Sequence, residues 1–403
     1  MRRNSQAGQT LVFVALAMVL LSAVLGLAVD IGYMRFLKRR MQTAADSAAI
    51  AAAAEINYGD VTAAAKADAA SNGFTDGANG VAVTVNNPPA SGPNQGVQGY
   101  VEVLISKNQP TFFIRVVPGG ATSSTVTARA VGHLGNGKGC IYTLAQAPAG
   151  LQVHHNGAVT AQSCAIMVNG NLTVHSGATL TASAIGVGGS VTNLGLTLTP
   201  APQTGMVLAS DPLAYLPTQN PGACNFTNFR INSGNTILNQ GVYCGGITIT
   251  GSASATFSPG LYIMAPGSGG PPVGLLINSS GTVTGSGVTI YNAAGSGPIS
   301  ITSTGTVSLS APTSGTYAGV LIFQDPANQL SATVNGGNNA MFAGALYFPN
   351  LNANVSITNI GSGATGTTIV AASLDVHGNS NNFNSAYSLF SSGSPVKDAV
   401  LAE

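Results

Sequence analysis

The 403-residue chain predicts an α+β protein: a single N-terminal transmembrane helix, a helical stem and a small β-rich module, followed by an all-β, right-handed parallel β-helix-like solenoid. Three observations carry that reading. One is an uncharged apolar run near the N-terminus, and another is an Ala-rich helical stretch that continues it without a break. The last is a long region of short apolar runs separated by Gly, Asn and Ser. Charged residues make up 6% of the chain and hydrophobic ones 45%. Disorder needs low hydrophobicity and high net charge, so this composition points to a folded, strand-rich body. A formal net charge of +1 gives no electrostatic reason to expect nucleic acid as a partner. Trp is absent, which weakens any aromatic sugar-stacking platform, although Tyr and Phe remain.

The elements follow in order as a tip (1–9), a transmembrane helix (10–32), a stem (33–74), a module (75–135), a solenoid (139–395) and a C-terminal tail (396–403). From Thr10 to Val29 the sequence TLVFVALAMVLLSAVLGLAV carries no charge, and about 20 helical residues match the thickness of a bilayer core. A cleaved signal peptide is the alternative, but the run exceeds a typical apolar h-region and helical sequence continues past it. The sequence therefore favours a retained anchor in contact with membrane lipid. Arg2 and Arg3 precede the span, while Arg35, Lys38, Arg39 and Arg40 follow it, so a positive-inside count favours an inward body. Four downstream cysteines and a nearly uncharged Gly/Asn/Thr-rich body argue for export, with the basic cluster on far-side headgroups. The expectation is a bacterial inner-membrane, single-pass protein, N-terminus cytoplasmic and bulk periplasmic or extracellular.

In the stem, Ala44, Ala45, Ala48, Ala49, Ala52 and Ala53 recur at helical spacing, and VTAAAKADAASNGF (61–74) reads as a second helix after a break at Asn57–Gly59. The small-residue face suits either close packing on a partner helix or an exposed helix stabilised by propensity. VAVTV (81–85), YVEVLIS (100–106), TFFIRVV (111–117) and SSTVTARAVGHL (123–134) read as strands of a small sheet. A membrane helix leading into a sheet is pilin-like in outline, an analogy of fold alone.

Beyond 139 the runs LQVHHNGAVTA, AIMVNGNLTVHSGATLTA, GITITGSASATF and GLLINSSGTVTGSGVTIYN place β-branched residues on alternate positions, each run followed by turn residues. Short imperfect repeats with no helical signal between them point to stacked coils rather than a β-sandwich, which would show longer strands and clearer hairpins. Cys140, Cys164, Cys224 and Cys244 have no C-x-x-C spacing, so zinc-ribbon and thioredoxin chemistry are unsupported. Proximity in sequence favours the pairs Cys140–Cys164 and Cys224–Cys244 among the three possible pairings. His154 and His175 could share adjacent coils, but no carboxylate cluster accompanies them, so surface histidines are preferred over a metal site. No cofactor is expected.

Between Gly139 and Pro395 the acids are Asp211, Asp325 and Asp375 and the strong base is Arg230. Glycoside chemistry needs paired carboxylates, or a base with calcium. With so few candidates, and no G-x-S-x-G, H-E-x-x-H or P-loop motif, the chain does not read as an enzyme. The competing reading is a membrane-tethered polysaccharide-active β-helix enzyme using Asp211 or Asp325, and a third is a structural envelope protein or adhesin unrelated to pili.

The stretch GQTLVFVALAMVLLSAVLGLAVDIGYMRFLKRRMQTAADSAAIAAA (8–53) resembles the N-terminal domain of TadG-like proteins of the Tad (tight adherence) Flp pilus system. Gly8-Gln9, GLAVDIG (26–32) and QTAADSAAIAAA (42–53) carry the resemblance, and the module and DPLAYLP (211–217) are also similar to regions of such proteins. The resemblance implies assembly or anchoring roles for Gly8, Gln9, Gly26, Asp30, Gly32, Gln42, Ala45 and Asp46. It also implies partners among the pilus-assembly subunits, namely pseudopilins and the inner-membrane platform, with a surface or polysaccharide ligand as a further partner. Asp30 reads either as an acceptor for a partner subunit or a basic group such as Arg35, or as a residue snorkelling into headgroups. Two departures limit the carry-over. The D-x-S-x-S metal motif of von Willebrand A-type regions is missing. Phe13 also stands where pilin-like relatives carry the Glu that follows the cleavage glycine, which argues against processing as a major pilin.

Overall fold

A computed structural model describes residues 7–56, 59–116, 119–137, 139–206, 208–268, 272–336, 340–360, 366–384 and 394–403. Arg2 and Arg3 of the basic flank, and Asn57 of the helix break, lie outside the described residues. The chain divides into two compact units: residues 1–135 with 399–403, and residues 136–398.

In the first unit, helix α1 (Ala7–Ala54) joins span and stem into one rod of 48 residues, about 70 Å long. Helix α2 (Val61–Ser71) begins where the Asp60 carboxylate accepts hydrogen bonds from the amides of Thr62 and Ala63, satisfying donors that the helix start leaves unpaired. Strands β1 (Val81–Asn86), β2 (Tyr100–Pro110) and β3 (Ser123–Asn136) form an antiparallel sheet. The strand Lys397–Leu401 adds to β3 at its edge, within the stretch read as a tail. The six stem alanines are fully buried together with Val101, Val103 and Ile105 of β2. The Ala face thus packs on its own sheet and on α2, which neither sequence reading of that face anticipated.

Another expectation fails here. Residues 111–117 do not continue the sheet: Ile114–Val116 form a 3-10 turn, and Val117 lies outside the described residues. The backbone amides that a ladder would use point instead at a carboxylate on α1, as described below.

The second unit is built from short parallel strands stacked in register around one apolar core. In strands such as Ala158–Val168 and Asn354–Thr358 buried and less buried residues alternate, with Val and Ile inward and Thr and Ser outward, whereas Gly139–Thr143, Val288–Asn292, Val320–Gln324 and Thr367–Ala371 are buried at every position. The stacking order departs from the chain order. Strand Gly139–Thr143 lies between Ala158–Val168 on one side and Thr367–Ala371 on the other. Ser373–His377 pairs with Gly150–Val153, and Asn381–Asn382 with Ala158–Val168. The chain therefore enters in the middle of the stack, builds outward to Gln203–Thr204, and returns through residues 205–225 to start the far end at Phe226–Ile231. The later coils then grow back until they close on the first.

The returning segment is a strap over an outward ladder of large side chains. Ile263, Tyr291, Phe323, Tyr347, Val370, Tyr142 and Met167 follow one another in register across successive coils. Leu213 and Leu216, within DPLAYLP, are buried against that ladder. The disulfides Cys140–Cys164 and Cys224–Cys244 each join neighbouring coils, the pairing that sequence proximity favours.

Candidate functional site

The GLAVDIG stretch is a docking point for the 111–116 loop. Asp30 is buried, with 1% exposure. Its Oδ1 accepts the amide of Phe112 at 2.9 Å, and its Oδ2 accepts those of Phe113 at 2.9 Å and Ile114 at 2.7 Å. An ionised carboxylate at the start of a turn offers charge-assisted bonds to amides that have no other partner. These amides of the same chain are its hydrogen-bond partners, where sequence reading offered a partner subunit, Arg35 or the headgroups. One turn earlier, a Cβ on Gly26 would lie 2.8 Å from the Cβ of Phe113. Glycine costs a helix about 1 kcal/mol relative to Ala, and here it leaves room for a ring. Gly32 has open space around it.

Further along α1, the Gln42 amide donates to Asp46 Oδ1 at 2.7 Å and to the Arg129 carbonyl on β3 at 2.8 Å. Ala45 is buried. Close approach of helix and sheet also needs Gly132 on β3, where a Cβ would fall 2.3 Å from the Ala49 carbonyl oxygen. Gly8 and Gln9 lie in the first turn of α1. The resemblance residues from 26 to 46, apart from Gly32, thus belong to the helix face that holds the module or border it.

A charged lock closes the same unit. Glu102 is fully buried on β2. It accepts from Arg129 and Ser91 at 2.5 Å each, from Asn86 at 2.7 Å and from the Ala90 amide at 3.1 Å. Burial would raise the Glu102 pKa, but the hydrogen bonds from Ser91, Asn86 and Arg129 outweigh it and hold the carboxyl at about 2. Arg129 also reaches the Glu403 carboxylate at 2.6 Å. The primary sequence gave no signal for this lock, because its members stand far apart along the chain.

In the solenoid the three acids are separately engaged. Asp211 anchors the strap: its Oδ2 accepts the Tyr347 hydroxyl at 2.7 Å and its Oδ1 the Leu213 amide at 3.0 Å. Burial pushes its pKa up, and those two bonds oppose the shift. Asp325 accepts the buried Tyr291 hydroxyl and the Ala327 amide. Asp375 faces outward in a shallow hollow that it shares with Pro148, Gln152, Asn354 and Ser373, where Asn354 donates to it at 2.6 Å. Arg230 lies exposed on Phe226–Ile231, the terminal strand of the stack.

His377, His154 and His175 occupy consecutive coils at the seam where the last coil meets the first. Their rings stack nearly parallel, with centroids 4.2 Å and 5.1 Å apart. The adjacency of His154 and His175 was legible in the sequence, whereas the addition of His377 depends on the coil order. Asp375 Oδ1 lies 3.5 Å from His154 Nε2. Parallel rings aim their nitrogens side by side rather than at one point, and among the described residues no group of three or more His, Cys, Asp or Glu could hold a metal ion.

α1 is long and apolar enough to cross a membrane, and its stretch from Leu11 to Val29 is exposed apart from Gly26. It is a candidate membrane anchor. No curated protein and no solved structure matches the chain. Residues 8–55 match the family described as putative Flp pilus-assembly TadE/G-like, so the segment comprising the candidate anchor and the alanine face of α1 is TadE/G-like.

Proposed function

We propose that this protein is a membrane-anchored accessory component of a Tad/Flp-type pilus assembly, contributing to pilus anchoring or surface attachment. The observation that carries the reading is the coincidence of the TadE/G-like match at 8–55 with a helix apolar enough to span a bilayer. In this reading α1 holds the chain in the bacterial inner membrane with its N-terminus cytoplasmic. The module meets other assembly subunits, and the solenoid presents a long polar outer face in the periplasm or beyond. Two disulfides in the solenoid suit an oxidising compartment. The solenoid acts as a spacer or binding surface rather than a catalyst, since Asp211 and Asp325 are committed to tyrosines inside the fold.

Deleting the gene and restoring it with full-length or α1-truncated protein tests the proposal. Loss of piliation or attachment, rescued by the full chain alone, is the expected result; unchanged piliation and attachment in the deletion strain would refute it. Protease access to a C-terminal tag in intact cells and in spheroplasts reads the orientation. Cleavage of acidic polysaccharide by purified protein, abolished by Asp211→Asn or Asp325→Asn, would instead establish an enzyme.

A further inference from the structure

The stripe of α1 that holds the module does not stop where the alanines end. Continuing toward the N-terminus at helical spacing, it runs through Met41, Leu37, Tyr33, Asp30 and Gly26, and the last three hold the 111–116 loop. The Phe112 ring meets Tyr33 edge to face at 5.5 Å, and Phe113 fills the space left by Gly26. The loop is therefore pinned at the level of residues 26–33, where the uncharged stretch of α1 ends.

At that level the loop turns apolar side chains outward. Phe112 is 46% exposed, Phe113 50% and Val116 76%, beside Phe36 at 56%. In water such a cluster leaves a large apolar area unburied at about 25 cal/mol per Å². Charges come next along the helix. Arg35 and Lys38, one to two turns beyond Asp30, line a groove with Thr125 and Thr127 of β3, and Arg115 is exposed on the loop itself. Aromatic side chains at the end of an apolar span, followed by Arg and Lys, reproduce the layering of a bilayer interface, where rings sit at headgroup depth and cations meet phosphates.

We infer that the 111–116 loop is a second membrane contact: Phe112, Phe113 and Val116 enter the leaflet beside α1, and Arg35, Lys38 and Arg115 face its phosphates. The occupant is lipid, because the patch is continuous with the apolar surface of the span. The Asp30 bonds to the loop amides satisfy backbone groups that have no water at that depth. The module is thereby held to the membrane at two points rather than swinging on a single helix. This rests on the anchor reading proposed above, and it is independent of which side of the membrane the module occupies.

The native chain has no Trp, so single substitutions create clean fluorescent reporters. Full-length Phe112→Trp, Val116→Trp, Leu20→Trp and Val97→Trp variants are reconstituted into vesicles of phosphatidylethanolamine and phosphatidylglycerol whose acyl chains are brominated near the headgroup or near the chain end. Val97 precedes β2 at the end opposite the loop, about 35 Å away along the strand. Expected is loss of half or more of the Phe112→Trp and Val116→Trp emission with bromine near the headgroup. Leu20→Trp should be quenched by the deep label and Val97→Trp by aqueous iodide only. If Leu20→Trp is quenched while both loop reporters remain as open to iodide as Val97→Trp, the loop stands clear of the bilayer and the inference is overturned with the anchor intact. If Leu20→Trp is not quenched, the anchor itself fails and the inference falls with it.

Discussion

The two units of this chain solve the same problem with opposite means. The module has a sheet built on three antiparallel strands, one face covered by helices, and a fully buried Glu102 neutralised by Arg129. The solenoid has many short parallel strands, an apolar core along its whole length, and very few charges between Gly139 and Pro395. Its specificity resides in ladders, in two disulfides and in a strap that crosses several coils. A small sheet with a thin core depends on a few strong, directional contacts, whereas a stacked repeat spreads its stability over nearest-neighbour interfaces. Damage should therefore be concentrated and severe in the first unit and distributed in the second.

The sharpest way to break that contrast is Arg129→Met. It leaves a buried carboxylate with no cation, and removing one partner of such a pair costs about 3–5 kcal/mol. Amide hydrogen exchange should rise throughout β1, β2 and β3 while solenoid protection stays unchanged. Acid does the same more gently. The folded Glu102 pKa of about 2 lies below its ordinary 4.5, so the stability it contributes is complete above about pH 4.5 and is lost as pH falls toward 2. Next in size is Cys140→Ser with Cys164→Ser, which releases a loop of 24 residues and should cost about 3 kcal/mol. Here exchange should rise in the coils around Gly139–Thr143, with the module unaffected. Equal loosening of both units by either change would show that they do not differ in the way described.

Smaller again is Tyr347→Phe, which deletes the hydroxyl donor to Asp211. One lost hydrogen bond to a partly buried carboxyl costs about 1–3 kcal/mol, and limited proteolysis should begin within 205–225 before any coil is cut. That strap also marks the limit of what the sequence could reveal. Alternation in LQV, NLTV and VSIT is a local property, so the strands and their inward faces were legible. Which coil stacks on which is a long-range property, and no local pattern shows Ile369 opposite Ile141. DPLAYLP has no period, so its burial was invisible, although Leu213 and Leu216 are as much core as any strand residue. TFFIRVV misled for a related reason. The amides of Phe112, Phe113 and Ile114 are bound to Asp30 on α1, Phe113 sits against Gly26, and amides bound to a carboxylate cannot also join a ladder. The Ala face suited a partner helix or solvent equally well by its spacing, and its actual partner, a sheet beginning some thirty residues later in the chain, could not be named from that spacing.

The smallest predicted effect lies at the seam that the sequence could not show. His377 stacks on His154 across the junction between the last coil and the first. Burial, reinforced by the neighbouring His154, lowers the His377 pKa, and Asp375 offsets part of that shift. A histidine whose folded pKa is lowered binds its proton more readily when unfolded, so stability is complete above the ordinary value near 6.5 and declines as pH falls through it. His377 lies at the junction of the last coil and the first, so the decline should be felt first there. Lowering the pH from 7.5 to 5.5 is expected to raise exchange at Ser373–His377 and Gly150–Val153 several-fold. Strands Leu275–Ser279 and Ile299–Thr302, remote from any histidine in the stack, serve as the internal reference. His377→Gln should abolish the pH dependence at the seam while leaving the reference strands as they were. If the seam and the reference strands respond alike, the weakness of the solenoid is uniform along its length, and its closure is no more vulnerable than any other pair of coils.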